Sequence, residues 1–205
     1  ELIGGTDTAK ELVVTAIENG KHVVTANKAL IAEFGDELLQ LAQSKGVQLR
    51  FEAAVAGGIP VIRSLVEGLS ANSISQLAGI INGTCNYIIS EMAERGRSYN
   101  DALADAQRLG YAEADPTFDV EGIDAAQKLT ILAALAFGIP YDARSCFNQG
   151  ISELAVEDIR YAKELGYQIK HLGLASQTAR GIELRVHPVL CLLYTSPSPR
   201  DFVRS

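Results

Sequence analysis

The sequence predicts an α/β protein: the C-terminal part of a doubly wound nucleotide-binding domain over residues 1–56, then an α+β substrate or catalytic domain over residues 57–190. Three observations predict it. Up to about Val55, short apolar runs alternate with longer amphipathic stretches that stop at glycines. Strands joined through crossover helices form a parallel sheet with helices on its faces. After Gly57 that alternation breaks down, and the last two apolar runs are separated only by Gln177–Gly181, a hairpin signal.

The elements follow in order. Leu2-Ile3 reads as the end of a strand that gives way to Gly4-Gly5, and Thr6 or Asp7 caps a helix running to Gly20. Residues 22–26 form a short buried strand, 33–45 a helix stopped by Gly46, and 47–55 a third strand. In the second part, 59–69 reads as a helix with Pro60 in its first turn. Residues 73–81 form a strand and 84–95 a helix. Ser98 caps a further helix that ends at Gly110. The stretch 121–138, EGIDAAQKLTILAALAFG, is a helix with one charged end and a wholly apolar remainder. A strand near Phe147, a helix over 156–165, and strands over 167–176 and 182–189 complete the pattern, the later strands antiparallel. No internal repeat is visible.

Composition narrows the function. The chain of 205 residues can bury a sizeable core, and 47% hydrophobic with 21% charged content is that of an ordinary globular protein. A net charge of −7 excludes a backbone-reading nucleic-acid binder, which needs a basic face. No apolar run reaches the roughly 18–20 residues of a membrane span. Cys85, Cys146 and Cys191 are an odd set without metal-ligand spacing, so reduced thiols and a cytoplasmic location are expected. ELIGG opens without Met and reads as a strand end, so a fragment is expected. Residues 191–205 cluster Ser and Pro and resemble translated adapter read-through. They are set apart as an artefactual or disordered tail.

Several motifs could carry chemistry, each with a plainer reading beside it. Lys28 stands just past the C-terminal end of a strand, where ligands sit in open parallel sheets, although a solvated loop lysine would look the same. Gly4-Gly5 lies after a strand likewise, where a missing side chain lets the backbone approach a ligand. FEAAVAGGIP, residues 51–60, ends a strand in small residues whose carbonyls could aim at a hard cation, or could simply make a tight connection. Glu113 and Asp115 lie in a loop between helices, where acids are usually solvated. Asp124 and Lys128, four apart, share a helical face, so a carboxylate and an ammonium can converge on one ligand. An ordinary i,i+4 pair would sit better on a helix with a polar face. At the edge of an apolar segment, the ammonium is placed to pass a proton to a substrate.

Together these blocks resemble the homoserine dehydrogenase family. ELIGG, HVVTANKALIA, FEAAVAGGIPVI, GIINGTCNYI, GYAEADPTFDVEGIDAAQKLTIL and GIELRVHP match it in order and spacing over about residues 1–190, with the opening more like the monofunctional enzymes. The resemblance implies a Rossmann-like NAD(P)-binding domain and reversible NAD(P)H-dependent reduction of L-aspartate 4-semialdehyde to L-homoserine, on the route to threonine and methionine. It implies Lys128 as the acid/base, Lys28 at the nicotinamide and substrate junction with catalytic and cofactor-binding duties, and Glu113 and Asp124 as substrate-binding acids. Gly5, Thr6 and Gly110 would contact NADP(H) or NAD(H). Glu52, Val55, Gly57 and Ile59 would bind Na+ largely through main-chain oxygens. The complete enzyme would be a homodimer or higher homo-oligomer acting on a small molecule, with no nucleic acid or membrane partner. The GxGxxG turn that opens such a cofactor domain is absent from this sequence. A non-catalytic truncated fragment of such an enzyme and another Rossmann-type amino-acid dehydrogenase are the alternatives.

Overall fold

The computed structural model describes residues 1–192. The chain divides into two compact units. The first comprises Glu1–Ile81, Ile123–Asn148 and Gly173–Val186; the second takes, of the described residues, Asn82–Gly122, Gln149–Leu172 and 187–192.

In the first unit, α1 (Asp7–Glu18), β1 (Val23–Val24), α2 (Lys28–Ser44) and β2 (Leu49–Arg50) follow in sequence, and β1 and β2 pair in parallel with Val23 opposite Leu49. That is the crossover geometry the alternating pattern predicts. Helix α1 buries Ala9, Val13 and Ile17, a stripe at intervals of four along one face. It packs with Leu30, Ile31 and Leu38 of α2, Phe51, and Ile131 and Leu132 of α7 (Ile123–Phe137). Each large aliphatic side chain withdrawn here contributes about 1.5–3 kcal/mol. Helix α7 is buried on a second side too, where Ala125, Leu129 and Ala133 meet Ala175, Leu184 and Val186 of the sheet. Two packed faces account for its nearly all-apolar sequence.

The larger sheet has the order β3-β5-β6-β4, from β3 (Gln76–Gly79), β4 (Phe147–Asn148), β5 (Tyr167–Thr178) and β6 (Gly181–Leu192). β5 and β6 form the expected hairpin, and β3 runs antiparallel to β5 with Gly79 opposite Gly173. β4, however, pairs in parallel with β6. The antiparallel expectation therefore fails for that strand, which enters the sheet from the end of α7 rather than through a hairpin.

The second unit is built on α4 (Gly83–Arg95), α5 (Tyr99–Arg108), the short α6 (Thr117–Val120) and α8 (Val156–Glu164). Asn82 and Ser98 cap α4 and α5 by accepting from the backbone N–H of Cys85 and Asp101. Ile88, Ile89 and Met92 pack against Ala102, Ala106, Ile159 and Ala162, the alanines letting the helices approach closely. Gly110, at φ +78°, lies two residues past the end of α5 as the sequence predicts.

Several elements depart from expectation. Leu2-Ile3 is not a strand: the Glu1 nitrogen and carbonyl bond to Val24 and Ala26, which makes no continuing ladder. Helix α2 begins at Lys28, five residues early, because Asn27 caps it. The third strand shrinks to Leu49–Arg50 and passes into a 3-10 turn over Glu52–Ala54. There the Glu52 carboxylate accepts from Ile62 and Arg63 N–H and turns the chain back. The helix expected over 59–69 is one α-turn, Val61–Arg63 (α3), that widens into a π-turn over Ser64–Gly68, with Leu69 N–H bonded to Ser64 O. Helix α6 was not predicted. Of the tail expected over 191–205, Cys191 and Leu192 end β6, and the remainder lies outside the described residues.

Candidate active site

The first unit brings two of the sequence-selected lysines, Lys28 and Lys128, onto a third selected side chain, the Asp124 carboxylate. Asp124, in the first turn of α7, is 5% exposed. Its Oδ2 accepts from Lys128 Nζ at 2.7 Å, and its Oδ1 lies 3.2 Å from Lys28 Nζ. The i,i+4 spacing on α7 supplies the first contact. The second spans the fold, because α2 starts at Lys28 and packs along α7, so the ammonium in the first turn of α2 reaches the first turn of α7. Lys128 also donates to the Ile81 carbonyl at 3.1 Å, just beyond the end of β3. The lysine side chains keep 30% and 22% of their exposure, whereas the Asp124 side chain keeps 8%. Two cations share one anion, and the local excess of positive charge suits an oxygen that becomes negative.

The chain just before Lys28 is held as firmly. Asn27 Oδ1 accepts from Leu30 N–H at 3.0 Å, and its Nδ2 donates to Gly5 O at 2.7 Å and Ile3 O at 3.1 Å. One amide thus fixes the start of α2 to the Gly4-Gly5 turn. Gly5 has φ +81°, and a Cβ at either glycine would meet nothing within 4 Å. Thr6 sits at the N-cap of α1 without a side-chain cap bond. An open glycine turn before an uncapped helix N-terminus fits a nucleotide phosphate by donor chemistry, since backbone N–H groups and the helix dipole favour an anion.

The turn over residues 55–59 carries two consecutive left-handed residues, Ala56 at φ +59° and Gly57 at φ +56°. A non-glycine residue in that conformation costs about 1–2 kcal/mol. Ile59 O accepts from Val61 N–H and Glu52 O from Val55 N–H, while the Glu52 side chain caps α3. Oxygen donors held in a strained turn fit a hard alkali cation by chemistry. Among the described residues, no group of three or more His, Cys, Asp or Glu could hold a metal ion. An apolar cavity of about 500 Å³ near this turn is lined by Leu39, Phe51, Ile62, Val66 and Leu135 among others. None of Lys28, Asp124 and Lys128 lines it; Arg50, Glu52, Arg63 and Glu67 supply the charged part of its otherwise apolar wall.

Glu113 and Gly110 belong to the second unit, where both are exposed. Gln107 Nε2 donates to Glu113 O at 3.1 Å, fixing the loop backbone and leaving the carboxylate to solvent. Asp115 accepts from Thr117 N–H, and the Thr117 hydrogen bonds hold its carboxyl below the usual range, a structural use. The same unit contains a dense amide network: Asn82 donates to Asp119 at 2.7 Å, Thr84 to Tyr111 O at 2.8 Å, and Asn86 clasps the His171 backbone through both its amide atoms. Cys85, Cys146 and Cys191 form no disulfide, and burial pushes the Cys146 thiol up to about 11, away from nucleophile chemistry.

Sequence reasoning missed Asn27 and the Ile81 carbonyl. Asn27 carried a signal, an N-cap residue before an apolar-periodic run. A backbone carbonyl carries none.

The family profile described as "Homoserine dehydrogenase" matches residues 60–194, and the one described as "Homoserine dehydrogenase, NAD binding domain" matches residues 1–52. The chain is 66% identical over 190 residues to the homoserine dehydrogenase of Pseudomonas aeruginosa and 48% identical to that of Bacillus subtilis, covering 93% of itself and 44% of each relative. It therefore spans less than half the length of these relatives. The crystal structure of a homoserine dehydrogenase from Thiobacillus denitrificans superposes with a TM-score of 0.91 at 64% identity, over 93% of this chain and 44% of that one. A hyperthermophilic archaeal homoserine dehydrogenase in complex with NADPH gives 0.78 at 28% identity, over 97% and 56%. No helix among the described residues is long and apolar enough to cross a membrane.

Proposed function

The chain belongs to the homoserine dehydrogenase family, and from that premise we propose that the whole protein interconverts L-homoserine and L-aspartate 4-semialdehyde with NAD(P)(H). The observation that carries this reading is the pair of lysines on Asp124. When bound, the nicotinamide cofactor supplies the hydride in reduction and accepts it in oxidation. In reduction, Lys128 gives its proton to the aldehyde oxygen as that oxygen becomes an alkoxide. In oxidation, it takes the proton back from the hydroxyl. Lys28 adds a second positive charge beside the developing oxyanion, where its field stabilises the charge without reorganisation. Asp124 keeps both ammonium groups in place between turnovers. Asp124 and Glu113 are the acids assigned to the substrate's α-ammonium.

For the cofactor, we assign Gly5 and Thr6 to the phosphate end, Lys28 to the nicotinamide end, and Gly110 to a further contact. The NAD-binding domain profile supports a nicotinamide nucleotide, NADP(H) or NAD(H), and the relative in complex with NADPH adds weight to the first. We assign Na+ to the turn of Glu52, Val55, Gly57 and Ile59, supported by the strain at Ala56. If Na+ sits there, melting temperature shifts with alkali cation identity at fixed ionic strength. Identical melting in sodium, potassium and tetramethylammonium leaves the turn a plain connection. Residues 1–56 and 57–190 are the proposed cofactor and catalytic domains, with a homodimer or larger homo-oligomer in the cytoplasm as the working form.

The deciding experiment follows nicotinamide absorbance in the complete protein with homoserine at alkaline pH. Cofactor reduction that requires homoserine supports the reading. Turnover with other amino alcohols but not with homoserine assigns the site to another dehydrogenase.

A further inference from the structure

Lys128 is held from two sides. Asp124 is the partner a sequence can show, whereas the Ile81 carbonyl at 3.1 Å needs its own explanation. The ladder between β3 and β5 ends at the pair Gly79 and Gly173, so strand pairing does not hold the Ile81 peptide. What locates it is the seat of its side chain. Ile81 packs with the core between α7 and the sheet, directly over the bare Cα of Gly173. A Cβ placed at Gly173 would stand 2.5 Å from Ile81 Cδ1, 3.2 Å from Ile81 Cγ1, and 3.4 Å from Cδ1 of Leu129, the neighbour of Lys128 on α7.

We propose that Gly173 is a positioning residue for Lys128: its missing side chain seats Ile81, and the seated Ile81 presents the carbonyl that holds the Lys128 ammonium. Ile81 is β-branched and stiff at χ1, and its side chain packs in the core between α7 and the sheet. The 2.5 Å overlap at Cδ1 therefore displaces the whole side chain, whereas the 3.2 Å contact at Cγ1 yields to a small shift. The push at Cδ1 passes through Cβ to the backbone, where the carbonyl turns away from Nζ. Gly173 touches no reacting atom and acts only through Ile81. The placement stands whatever the reaction is; its effect on turnover rests on the function proposed above.

The test measures trinitrophenylation of Lys128 in the intact chain by trinitrobenzenesulfonate, in which the amine displaces sulfite from the ring, read by peptide mass spectrometry with exposed Lys45 as internal control. Gly173→Ala and Gly173→Val should raise the Lys128 rate by about tenfold, the scale of one lost charge-assisted hydrogen bond, with Lys45 unchanged. Ile81→Val removes Cδ1, and added to Gly173→Ala it should return the rate to that of the unmodified chain. If Gly173→Ala fails to fold, the double variant decides. A normal Lys128 rate there supports the seat, and a raised one overturns it. Unchanged labelling in both Gly173 variants, or a raised rate that Ile81→Val does not reverse, also overturns it. Labelling requires no dehydrogenase activity. Turnover that survives Lys128→Ala would therefore sink the function and leave this placement standing, whereas unresponsive labelling would sink the placement alone.

Discussion

Each unit contains a carboxylate almost withdrawn from water and flanked by two cations, and the two clusters differ in ways that separate support from chemistry. In the first unit Asp124, its side chain 8% exposed, holds Lys28 and Lys128. In the second Glu91, 10% exposed, holds Arg95 at 3.0 Å and Arg97 at 3.8 Å, while Asp105 pairs with Arg97 and Arg108 and so ties α4 to α5. Both clusters include an i,i+4 pair on one helix. The cations are what differ. A guanidinium binds a carboxylate in a fixed fork and does not release its proton, so the Glu91 cluster can only hold helices together. An ammonium is a compact charge that can pass a proton on. The lysines also come from elements far apart in sequence, which focuses two charges on one point instead of spreading them along a surface.

The largest expected effect tests that distinction. In the complete protein, Lys128→Ala should lower turnover by about 10²–10⁴-fold, the usual size of a general acid/base contribution, with cofactor affinity nearly unchanged. Lys128→Arg keeps the charge and should lower turnover comparably, since arginine cannot deliver the proton. Arginine supporting near-normal turnover would erase the difference between the clusters and reduce Lys128 to a charge.

How much of this could be read beforehand follows from the range of each interaction. Asp124 and Lys128 were legible because a helix converts a spacing of four into a contact. The parallel pairing of β1 and β2 was legible because only a crossover joins such strands. Lys28 was picked out for its place after a strand, but its ion pair with Asp124 depends on the packing of α2 on α7, which no local pattern encodes. The strand expected over 47–55 failed because a distant demand, the uncapped N-terminus of α3, claimed the Glu52 carboxylate. Gly173 carries no local signal, because its use depends on the residue that faces it.

Asp124→Ala should come next in size. Losing a charge-assisted contact in a nearly dry place should raise KM for homoserine by about 10–100-fold. The lysines keep part of their exposure and can rehydrate, so the fold should survive. An unchanged KM would make Asp124 a structural anchor and bring it closer to Glu91. Glu91→Ala should do the reverse. Its arginines are 58% and 34% exposed and also rehydrate, so the loss should be about 1 kcal/mol, a fall in Tm of about 2–4 °C, with kcat and KM unmoved. A kinetic defect at an unshifted Tm would show that the arginine cluster does more than support.

The smallest effect separates the units by pH. His171, 1% exposed in the second unit, has Nε2 3.0 Å from Gln149 O, while Nδ1 is buried without a hydrogen-bond partner among the described residues. Nε2 therefore carries the proton and donates it, and a second proton at Nδ1 would add a charge and an unmatched N–H to the interior. Burial holds this imidazole below its ordinary range, opposed by the Gln149 hydrogen bond and reinforced weakly by His187. The sign follows from the proton count. Once the pH falls below about 6.5, the unfolded chain takes up a proton at this position that the folded chain refuses, so stability falls as pH falls until the folded imidazole also titrates. No such loss arises from Tyr141 of the first unit, whose phenol is pushed up to about 12, mainly by burial. Above about pH 10 the unfolded phenol gives up its proton while the folded one keeps it, so that residue weakens the fold only at alkaline pH. Melting curves of the wild type and His171→Gln between about pH 5 and 7.5 check the first half, since the amide keeps a donor but cannot titrate. Wild type should lose Tm toward the acid end more steeply than His171→Gln. Parallel slopes would mean that His171 is protonated in the fold, with Nδ1 donating to a partner other than Gln149.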